Sequence, residues 1–277
     1  MTETPTQDQI RDAWESLAPR FDEFMTPGNL RHGEDALRPV DIGPGTRFLD
    51  VAAGSGALSI SAARRGAEVV ATDIAPTMIE RLVARARAEG LTHIEGRVMD
   101  GHALAFDDDT FDVSASQHGV TMLPDLDAGL AEMVRVTKPG GTVLVVAFGS
   151  PRRMELIGFL LGALTAVVPG FTGLPMDPPP LPFQLADPGV FRDTFAAAGL
   201  SDVVVDTRTW DMPVDSAADL WNEVTSSHPI GARLVADVTE SQRAEALQAL
   251  DRMLRERSGG EPGAVLHAEV NVGTGRK

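Results

Sequence analysis

The sequence predicts an α/β fold in which a mostly parallel sheet is covered by helices on both faces. Strand-like and helix-like segments alternate from residue 46 to residue 148, and this alternation is typical of parallel strands joined by crossover helices. A loop of very small residues follows the first of these strands and leads directly into a helix-compatible stretch. Such a corner lets a nucleotide lie against the backbone at a helix N-terminus, so the pattern predicts a nucleotide site as well.

The first half of the chain begins with a helical segment and continues with the alternating pattern. Ile10, Trp14, Leu17 and Phe21 recur at helical spacing, which predicts a helix over residues 7–24. Strands are predicted over residues 47–51, 68–72, 94–98, 111–116 and 142–148. The intervening helices are predicted from residue 56, from Ala75-Pro76 to about residue 89, and over residues 126–136, where Pro139-Gly140-Gly141 ends the last one.

The alternation changes after Ser150. Helices are predicted over residues 152–168, 187–198, 217–224 and 240–255, and strands over residues 203–209 and 265–272. Residues 169–182 are rich in Pro and Gly, which predicts an irregular crossing loop. We expect one catalytic domain, with an N-terminal helical cap (1–45), a nucleotide-binding core (46–150), and lid helices plus the remaining strands (151–277).

Composition restricts the class of partner. The 277 residues include 24 Lys plus Arg and 40 Asp plus Glu, a net charge of -16, which disfavours nucleic acid and anionic membrane. The absence of Cys excludes disulfides and thiolate metal sites, and the six His show no metal-ligand spacing. The polar N-terminus is unlike a signal peptide, and the longest apolar stretch, 156–168, is too short to span a bilayer. We expect a cytoplasmic monomer or homodimer that acts on a small molecule.

The loop Asp50-Val51-Ala52-Ala53-Gly54-Ser55-Gly56 distinguishes between two classes of nucleotide. A dinucleotide fingerprint requires Gly-x-Gly-x-x-Gly or Ala, but the corresponding last position here is Ser59. A carboxylate at Asp50 repels a pyrophosphate and attracts a cation. The loop therefore disfavours NAD and favours the sulfonium nucleoside S-adenosylmethionine.

Further motifs follow the loop in order. They are Asp73, the segment Met99-Asp100-Gly101, the pair Phe111-Asp112, and Glu-Met-Val-Arg-Val-Thr-Lys-Pro-Gly-Gly over residues 132–141. Over residues 10 to 150 the chain resembles the class I S-adenosylmethionine-dependent methyltransferases, in the methyltransferase type 11 branch that includes quinone-biosynthesis C-methyltransferases. Ala52 stands where that family has its first loop Gly. The resemblance implies a Rossmann-like, mostly parallel, seven-stranded sheet with an N-terminal helical cap and helical lid insertions.

The resemblance also implies roles for individual residues. Asp73 would bind the ribose hydroxyls and Asp100 the adenine amino group, beside Met99, while carbonyls near Ala52 and Gln117 would meet the methionine ammonium. Met78 has packing within its own helix as an alternative role. The cofactor-binding candidates are Asp50, Ala52, Gly54, Gly56, Asp73, Ile74, Met78, Met99, Asp100, Gly101 and Gln117. S-adenosyl-L-homocysteine would be the product.

The catalytic candidates follow the fourth predicted strand. Gln117 and His118 would face the methyl group and its acceptor, because ligands bind beyond the carboxyl ends of parallel strands. Histidine has an ordinary pKa near neutrality and suits a general base, although His118 can equally serve as a structural hydrogen-bonding group. The isolated His228 and His267 are interpreted as structural.

The acceptor pocket is expected from the cap and the lid. The candidates are Trp14, Phe21, Phe24 and Met25 on the cap, and Phe159 and Trp221 on the lid, together with Leu160, Phe171 and Phe183. Their apolar character favours an aromatic or apolar acceptor, and ordinary core packing is the alternative for each. Relatives commonly have Tyr where this chain has Phe21, so a hydroxyl contact is lost.

The sequence therefore predicts a methyltransferase that acts on carbon or oxygen of an aromatic or quinone-like metabolite. One alternative is an NAD(P)-dependent oxidoreductase, which the missing third Gly and Asp50 disfavour. Another is a non-catalytic, S-adenosylmethionine-binding regulatory protein, which the nearly complete set of cofactor motifs disfavours.

Overall fold

The computed structural model describes residues 6–173, 180–226 and 229–277. The strands within these ranges are β1 (Arg47–Val51), β2 (Glu68–Asp73), β3 (Ile94–Val98), β4 (Phe111–Gln117), β5 (Thr137–Phe148), β6 (Ser201–Val214) and β7 (Ala264–Arg276). The helices are α1 (Gln7–Phe24), α2 (Thr26–Ala36), α3 (Ala57–Arg64), α4 (Pro76–Ala88), α5 (Leu126–Val136), α6 (Glu155–Val167), α7 (Pro188–Ala197), α8 (Ala217–Ser226), α9 (Pro229–Leu234) and α10 (Glu240–Ser258).

The strands form one seven-stranded sheet in the order β3-β2-β1-β4-β5-β7-β6. Strands β1 to β5 pair in parallel, and β7 runs antiparallel to both of its neighbours, β5 and β6. This arrangement confirms the predicted mostly parallel sheet. It also brings the carboxyl ends of β1, β2, β3 and β4 to one edge, where a ligand crevice is expected.

Two hydrophobic clusters cover the two faces of the sheet. Leu49 and Val51 of β1 belong to one cluster with α5 and α7, and Phe48 belongs to the other with α2 and α3. The division follows from the geometry of a strand, in which successive side chains point to opposite faces. Because both faces are covered, β1 is buried along almost its whole length.

A third cluster joins α6, α8 and α10 and lies beyond the sheet edge. It buries Leu160, Leu220, Trp221, Leu250 and Leu254. This cluster forms the lid above the carboxyl ends of the strands. Within the described ranges, no helix combines the length and the apolarity that a membrane crossing demands.

The structure corrects several predicted elements. Helix α2 was absent from the sequence prediction because its buried residues are mostly small or polar, among them Thr26, His32 and Gly33, and form no apolar stripe. Strand β5 begins at Thr137, before rather than after Pro139-Gly140-Gly141; Thr137 takes an extended backbone, and its hydroxyl donates to the Met133 carbonyl at 2.6 Å.

Strands β6 and β7 are much longer than predicted, at 14 and 13 residues. The two strands pair with each other over nearly their whole length, from Ser201 opposite Arg276 to Val214 opposite Ala264, and this pairing extends both beyond the predicted residues. Helix α9 was also absent from the prediction, which placed no helix between residues 224 and 240. The other helices and strands begin and end close to their predicted residues. The predicted crossing loop at 169–182 lies partly, and His228 wholly, outside the described residues.

Candidate active site

A cavity of about 390 Å³ opens at the carboxyl edge of the sheet and extends beneath the lid. One end is lined by residues that follow β1, β2 and β3, including Gly54, Asp73 and Asp100. The other end is lined by Phe148, Trp210 and residues of α6, α8 and α9. We call these the strand end and the lid end of the cavity.

The loop after β1 is held by backbone hydrogen bonds in a shape that exposes it to the cavity. Ala52 and Gly54 have φ angles of 52° and 53°, in the left-handed region that favours glycine. The Ala53 amide donates to the Thr72 carbonyl at 2.9 Å. A Cβ atom at Gly54 would lie 3.4 Å from Phe21 of the cap, so the loop and the cap lie close together at this point.

Asp73 connects the loop to α4. Its two carboxylate oxygens accept hydrogen bonds from the Gly54 amide at 2.8 Å and the Ala75 amide at 2.9 Å. Burial raises the pKa of Asp73 to about 6, against the opposing effect of these hydrogen bonds. The carboxyl also lines the cavity, so it is fixed in place for contact with a ligand.

Asp100 lies beside Met99 and Gly101 at the same end of the cavity. One of its oxygens contacts the His102 amide at 3.0 Å and the His102 ring nitrogen Nδ1 at 2.8 Å. The other oxygen accepts from the Gln7 side chain of α1 at 2.6 Å. The cap is thereby tied to an acid that faces the ligand space.

Asp50, a predicted cofactor-binding residue, bonds to the beginning of α3. Its Oδ2 accepts from the Ser59 amide at 2.9 Å and the Ser59 hydroxyl at 2.6 Å, so it caps α3, whose own N-cap, Gly56, has no side chain. Burial is the largest of the causes that raise the pKa of Asp50 to about 7. It lies outside the main cavity and lines an adjoining pocket of about 40 Å³ with Asn29 and Gln117.

Gln117 ends β4 and faces both spaces. Its side-chain nitrogen donates to the Asn29 carbonyl at 3.3 Å. Its Oε1 is buried and has no hydrogen-bond partner among the described residues. A buried acceptor of this kind has lost its hydration and is stabilised by a ligand that donates a hydrogen bond.

His118 has a φ angle of 60°, which is uncommon for a residue with a side chain. Its amide donates to the Val146 carbonyl at 2.8 Å, and its carbonyl accepts from the Thr121 hydroxyl at 2.8 Å. Its ring stacks on Phe148 with centroids 3.9 Å apart and meets Trp210 edge-on at 5.9 Å. The surroundings fix the imidazole against the cavity wall.

The lid end has an aromatic wall. His118 and Phe148 form one stacked pair, and His32 and Trp210 form another with centroids 4.2 Å apart. Phe183 meets Phe148 at 6.1 Å. Apolar side chains complete this end of the cavity: Met154, Leu156, Ile157, Met212, Val224, Ile230 and Leu234.

The structure brings most of the predicted site residues together around the main cavity. They are Ala52, Gly54, Asp73, Ile74, Met78, Met99, Asp100, Gly101, Gln117, His118, Trp14, Phe21 and Met25. Asp50, described above, does not line this cavity, and Leu160 and Phe171 pack in the third cluster. Four further predicted residues also lie elsewhere. Phe159 and Trp221 pack in the third cluster, and Phe24 is half-buried outside the lining. A Cβ atom at Gly56 would come within 2.8 Å of Leu82 on α4. The absence of a side chain at Gly56 therefore lets α4 pack against the beginning of α3.

The sequence prediction missed His32, Trp210, Phe148 and Glu223, all of which line the cavity. Phe148 ends β5, so the rule that placed Gln117 at a strand end also applies to it. Glu223 lies one turn after Leu220 in α8. An acid beside apolar residues of a predicted helix could have marked it as a candidate site residue. His32 and Trp210 gave no such signal, because α2 was not predicted and β6 lies far along the chain.

Comparison with known proteins identifies the family. A methyltransferase domain family matches residues 49–145. An uncharacterized protein of Mycobacterium tuberculosis is 43% identical over 127 residues, which are 46% of this chain and 44% of that protein. The chain thus spans less than half the length of this relative. The demethylmenaquinone methyltransferase of Renibacterium salmoninarum is 34% identical over 171 residues, 58% of this chain and 69% of that enzyme.

A solved structure shares the fold over nearly the whole chain. The structure of the [4+2]-cyclase SpnF aligns with a TM-score of 0.59 at 18% identity and covers 99% of this chain and 97% of that one. Identity this low supports the fold alone. The ordered motifs, the sheet topology and the Renibacterium salmoninarum relative together establish the family, and the chain belongs to the class I S-adenosylmethionine-dependent methyltransferases.

Proposed function

We propose that this chain transfers a methyl group from S-adenosylmethionine to carbon or oxygen of a small aromatic or quinone-like acceptor. The observation that carries the proposal is the continuity of the cavity. A single space connects the strand-end acids Asp73 and Asp100 with the aromatic wall around Phe148 and Trp210. Group transfer requires both reactants to be held in line in one enclosed space, and this cavity has a suitable end for each.

The residues at the strand end fit S-adenosylmethionine. Asp73 presents a carboxyl that can accept from two ribose hydroxyls, and Asp100 can accept from the adenine amino group. The buried Oε1 of Gln117, without a partner among the described residues, suits the methionine ammonium. The bound cofactor would supply an activated methyl group. Gly54 has no Cβ, so its backbone stays open to a ligand in the cavity beside Phe21.

The residues at the lid end would bind and orient the acceptor. Stacked rings present flat apolar surfaces, which favour an aromatic body in offset or edge-on contact. The relative from Renibacterium salmoninarum is named a demethylmenaquinone methyltransferase, which supports a quinone-like acceptor. His118 follows Gln117 in the chain and is part of the aromatic wall, and we assign its imidazole to remove the acceptor's proton.

Calorimetry and a transfer assay test the proposal. S-adenosylmethionine and S-adenosylhomocysteine should bind, and NADH should not. Labelled methyl from the cofactor should appear on at least one member of a panel of phenols and hydroquinones, and His118→Ala should slow that transfer while it leaves cofactor affinity within about twofold. Binding of NADH without S-adenosylmethionine contradicts the proposal. If the cofactor binds but no labelled methyl reaches any acceptor, either in the panel or in fractions of a cell extract, a regulatory protein is favoured instead.

A further inference from the structure

His32 brings an imidazole ring to the lid end of the cavity. It lies on α2 and lines the cavity. Its Nε2 atom is 3.3 Å from the backbone carbonyl oxygen of Asp211. Because a carbonyl oxygen only accepts hydrogen bonds, Nε2 carries the proton of this pair. In a neutral imidazole the other nitrogen, Nδ1, is then an acceptor with a lone pair.

The Nδ1 atom of His32 is open to a ligand. It has no hydrogen-bond partner among the described residues, and it is not one of their fully buried polar atoms that lack a partner. A ligand in the cavity that His32 lines can therefore reach it. Burial is the largest cause that lowers the pKa of His32 below its ordinary value, so the ring is neutral at neutral pH and Nδ1 keeps its lone pair.

The ring of His32 is held in place by Trp210 of β6. The two rings stack with centroids 4.2 Å apart and planes 11° apart. Trp210 is fixed in turn, because its Nε1 donates to the Asp35 carboxylate at 3.0 Å. Asp35 lies one turn after His32 on α2 and also pairs with Arg208 at 3.1 Å. These contacts set the direction of the Nδ1 lone pair before a ligand enters.

We infer that His32 binds the methyl acceptor through Nδ1, which accepts a hydrogen bond from a hydroxyl on the aromatic ring of the acceptor. The inference rests on the proposed function in that it takes the lid end as the acceptor site. It narrows the acceptor class from aromatic molecules in general to phenols and hydroquinones. Trp210 also meets His118 edge-on at 5.9 Å, so the binding histidine and the histidine assigned to proton removal contact the same indole ring.

The character of the lid end makes a hydroxyl on the ligand matter for affinity. Most side chains there are apolar or aromatic, such as Phe148, Met154 and Met212. A ligand without a donor would cover Nδ1 of His32 and leave its lone pair unpaired, which costs free energy. A site that forms a hydrogen bond to a substrate hydroxyl rejects analogues without that hydroxyl more strongly than it rejects analogues of slightly different size.

The test compares two probes that share a ring system. 2-Naphthol carries a hydroxyl donor, and 2-methoxynaphthalene has a methoxy group in its place. Calorimetry measures the binding of each probe to the full chain, with and without S-adenosylhomocysteine. Wild type should bind 2-naphthol about fivefold to tenfold more tightly than 2-methoxynaphthalene, the ratio expected from one hydrogen bond.

His32→Phe removes both ring nitrogens and keeps a ring that can stack on Trp210. Its affinity for 2-methoxynaphthalene should stay within about twofold of wild type, and its preference for 2-naphthol should fall below about twofold. His267→Phe is the matched control. The His267 ring also bonds to Asp211, at 3.1 Å, but it does not line the cavity, so this variant should keep the wild-type preference.

Nitrogen NMR of wild type reads the protonation of His32 directly and needs no variant, because ring signals are assigned through the backbone. The proton should be found on Nε2, as the Asp211 carbonyl requires. The Nδ1 signal should move when 2-naphthol is added and should stay in place when 2-methoxynaphthalene is added. A proton on Nδ1 would contradict the inference.

The inference is also overturned by three binding results: no preference for 2-naphthol in wild type, an unchanged preference in His32→Phe, or an equal loss of preference in His267→Phe. The thermal unfolding midpoint of each variant checks that it is folded. Cofactor binding and methyl transfer are measured separately. A failure of the methyltransferase proposal would appear in those measurements, whereas a failure of this inference would appear in the comparison of the two probes.

Discussion

Asp73 both shapes the candidate site and lines its cavity. Its oxygens hold the Gly54 and Ala75 amides, so it fixes the loop after β1 and the beginning of α4. The same carboxyl lines the strand end of the cavity. A carboxylate oxygen has more than one lone pair, so these backbone contacts leave capacity for ribose hydroxyls.

Replacement of Asp73 should therefore weaken cofactor binding. We expect Asp73→Ala to cost about 1.5–3 kcal/mol of binding free energy for S-adenosylmethionine, the range for hydrogen bonds to a charged group. Asp73→Asn should cost less because one acceptor oxygen remains. Calorimetry measures both, with Glu68→Ala at the exposed beginning of the same strand as control. Equal affinity of Asp73→Ala and wild type would show that the ribose binds elsewhere.

The strand-end residues were predictable from sequence, and most of the lid-end residues were not. Asp73 ends β2 and Asp100 follows β3. Because short crossovers fix the order of these strands, motifs in the nearby sequence were enough to predict where both acids lie. Trp210 reaches the cavity from β6, and its position depends on the long antiparallel pairing with β7. Trp221 and Phe159 were predicted for the pocket from their apolar character, but this character does not specify which cluster buries them.

At the scale of elements, α1 is fastened to α4 by side chains along its length. Glu15 accepts from the Thr77 amide at 3.1 Å and also from the Thr77 hydroxyl. Asp22 pairs with Arg81 at 3.0 Å and with Arg85 at 2.6 Å. Since Trp14 and Phe21 of α1 line the cavity, we expect these contacts to slow the exit of a ligand bound at the strand end.

We expect Asp22→Asn to speed dissociation of S-adenosylhomocysteine by about threefold to tenfold, the effect of losing about 1 kcal/mol from a partly buried ion pair. Stopped-flow displacement measures the rate. Asp12→Asn is the matched control, because Asp12 is exposed and pairs with Arg11 of the same helix. A rate in Asp22→Asn equal to that of wild type would show that α1 does not limit ligand exit.

At the scale of the whole molecule, three carboxyls with raised pKa values lie around the ligand spaces. They are Asp50, Asp73 and Glu223. Asp22 and Asp112, away from these spaces, have lowered pKa values: burial is the largest single effect and raises the pKa, but hydrogen bonds and the charges of basic partners together lower it further. Burial of acids next to the cavity therefore opposes stability at neutral pH, whereas paired acids elsewhere favour it.

The sign of these shifts predicts how stability depends on pH. An acid with a raised pKa in the folded state binds more protons folded than unfolded, so its contribution is complete below the unfolded pKa of about 4 and is lost as pH rises through 6 to 7. Acids with lowered pKa values act in the opposite sense, and their contribution is lost only as pH falls below about 4. His32, whose pKa burial lowers, acts in the opposite sense between pH 5 and pH 7. Because three acids with raised pKa values outweigh this one histidine, the free energy of unfolding without cofactor should decrease from pH 5 to pH 8.

Asp50→Asn isolates the largest part of this decrease, because the amide keeps the size of the side chain and cannot ionise. The variant should match wild type at pH 5 within about 1 kcal/mol and exceed its unfolding free energy by about 1–4 kcal/mol at pH 8, on the basis of 1.36 kcal/mol per pKa unit. Urea unfolding at several pH values measures the slope. Asp112→Asn, which removes an acid with a lowered pKa, should leave the slope between pH 5 and pH 8 unchanged. If Asp50→Asn retained the wild-type slope, the buried carboxyl would be ionised in the folded protein, and the pocket adjoining the cavity would carry negative charge before any cationic ligand enters.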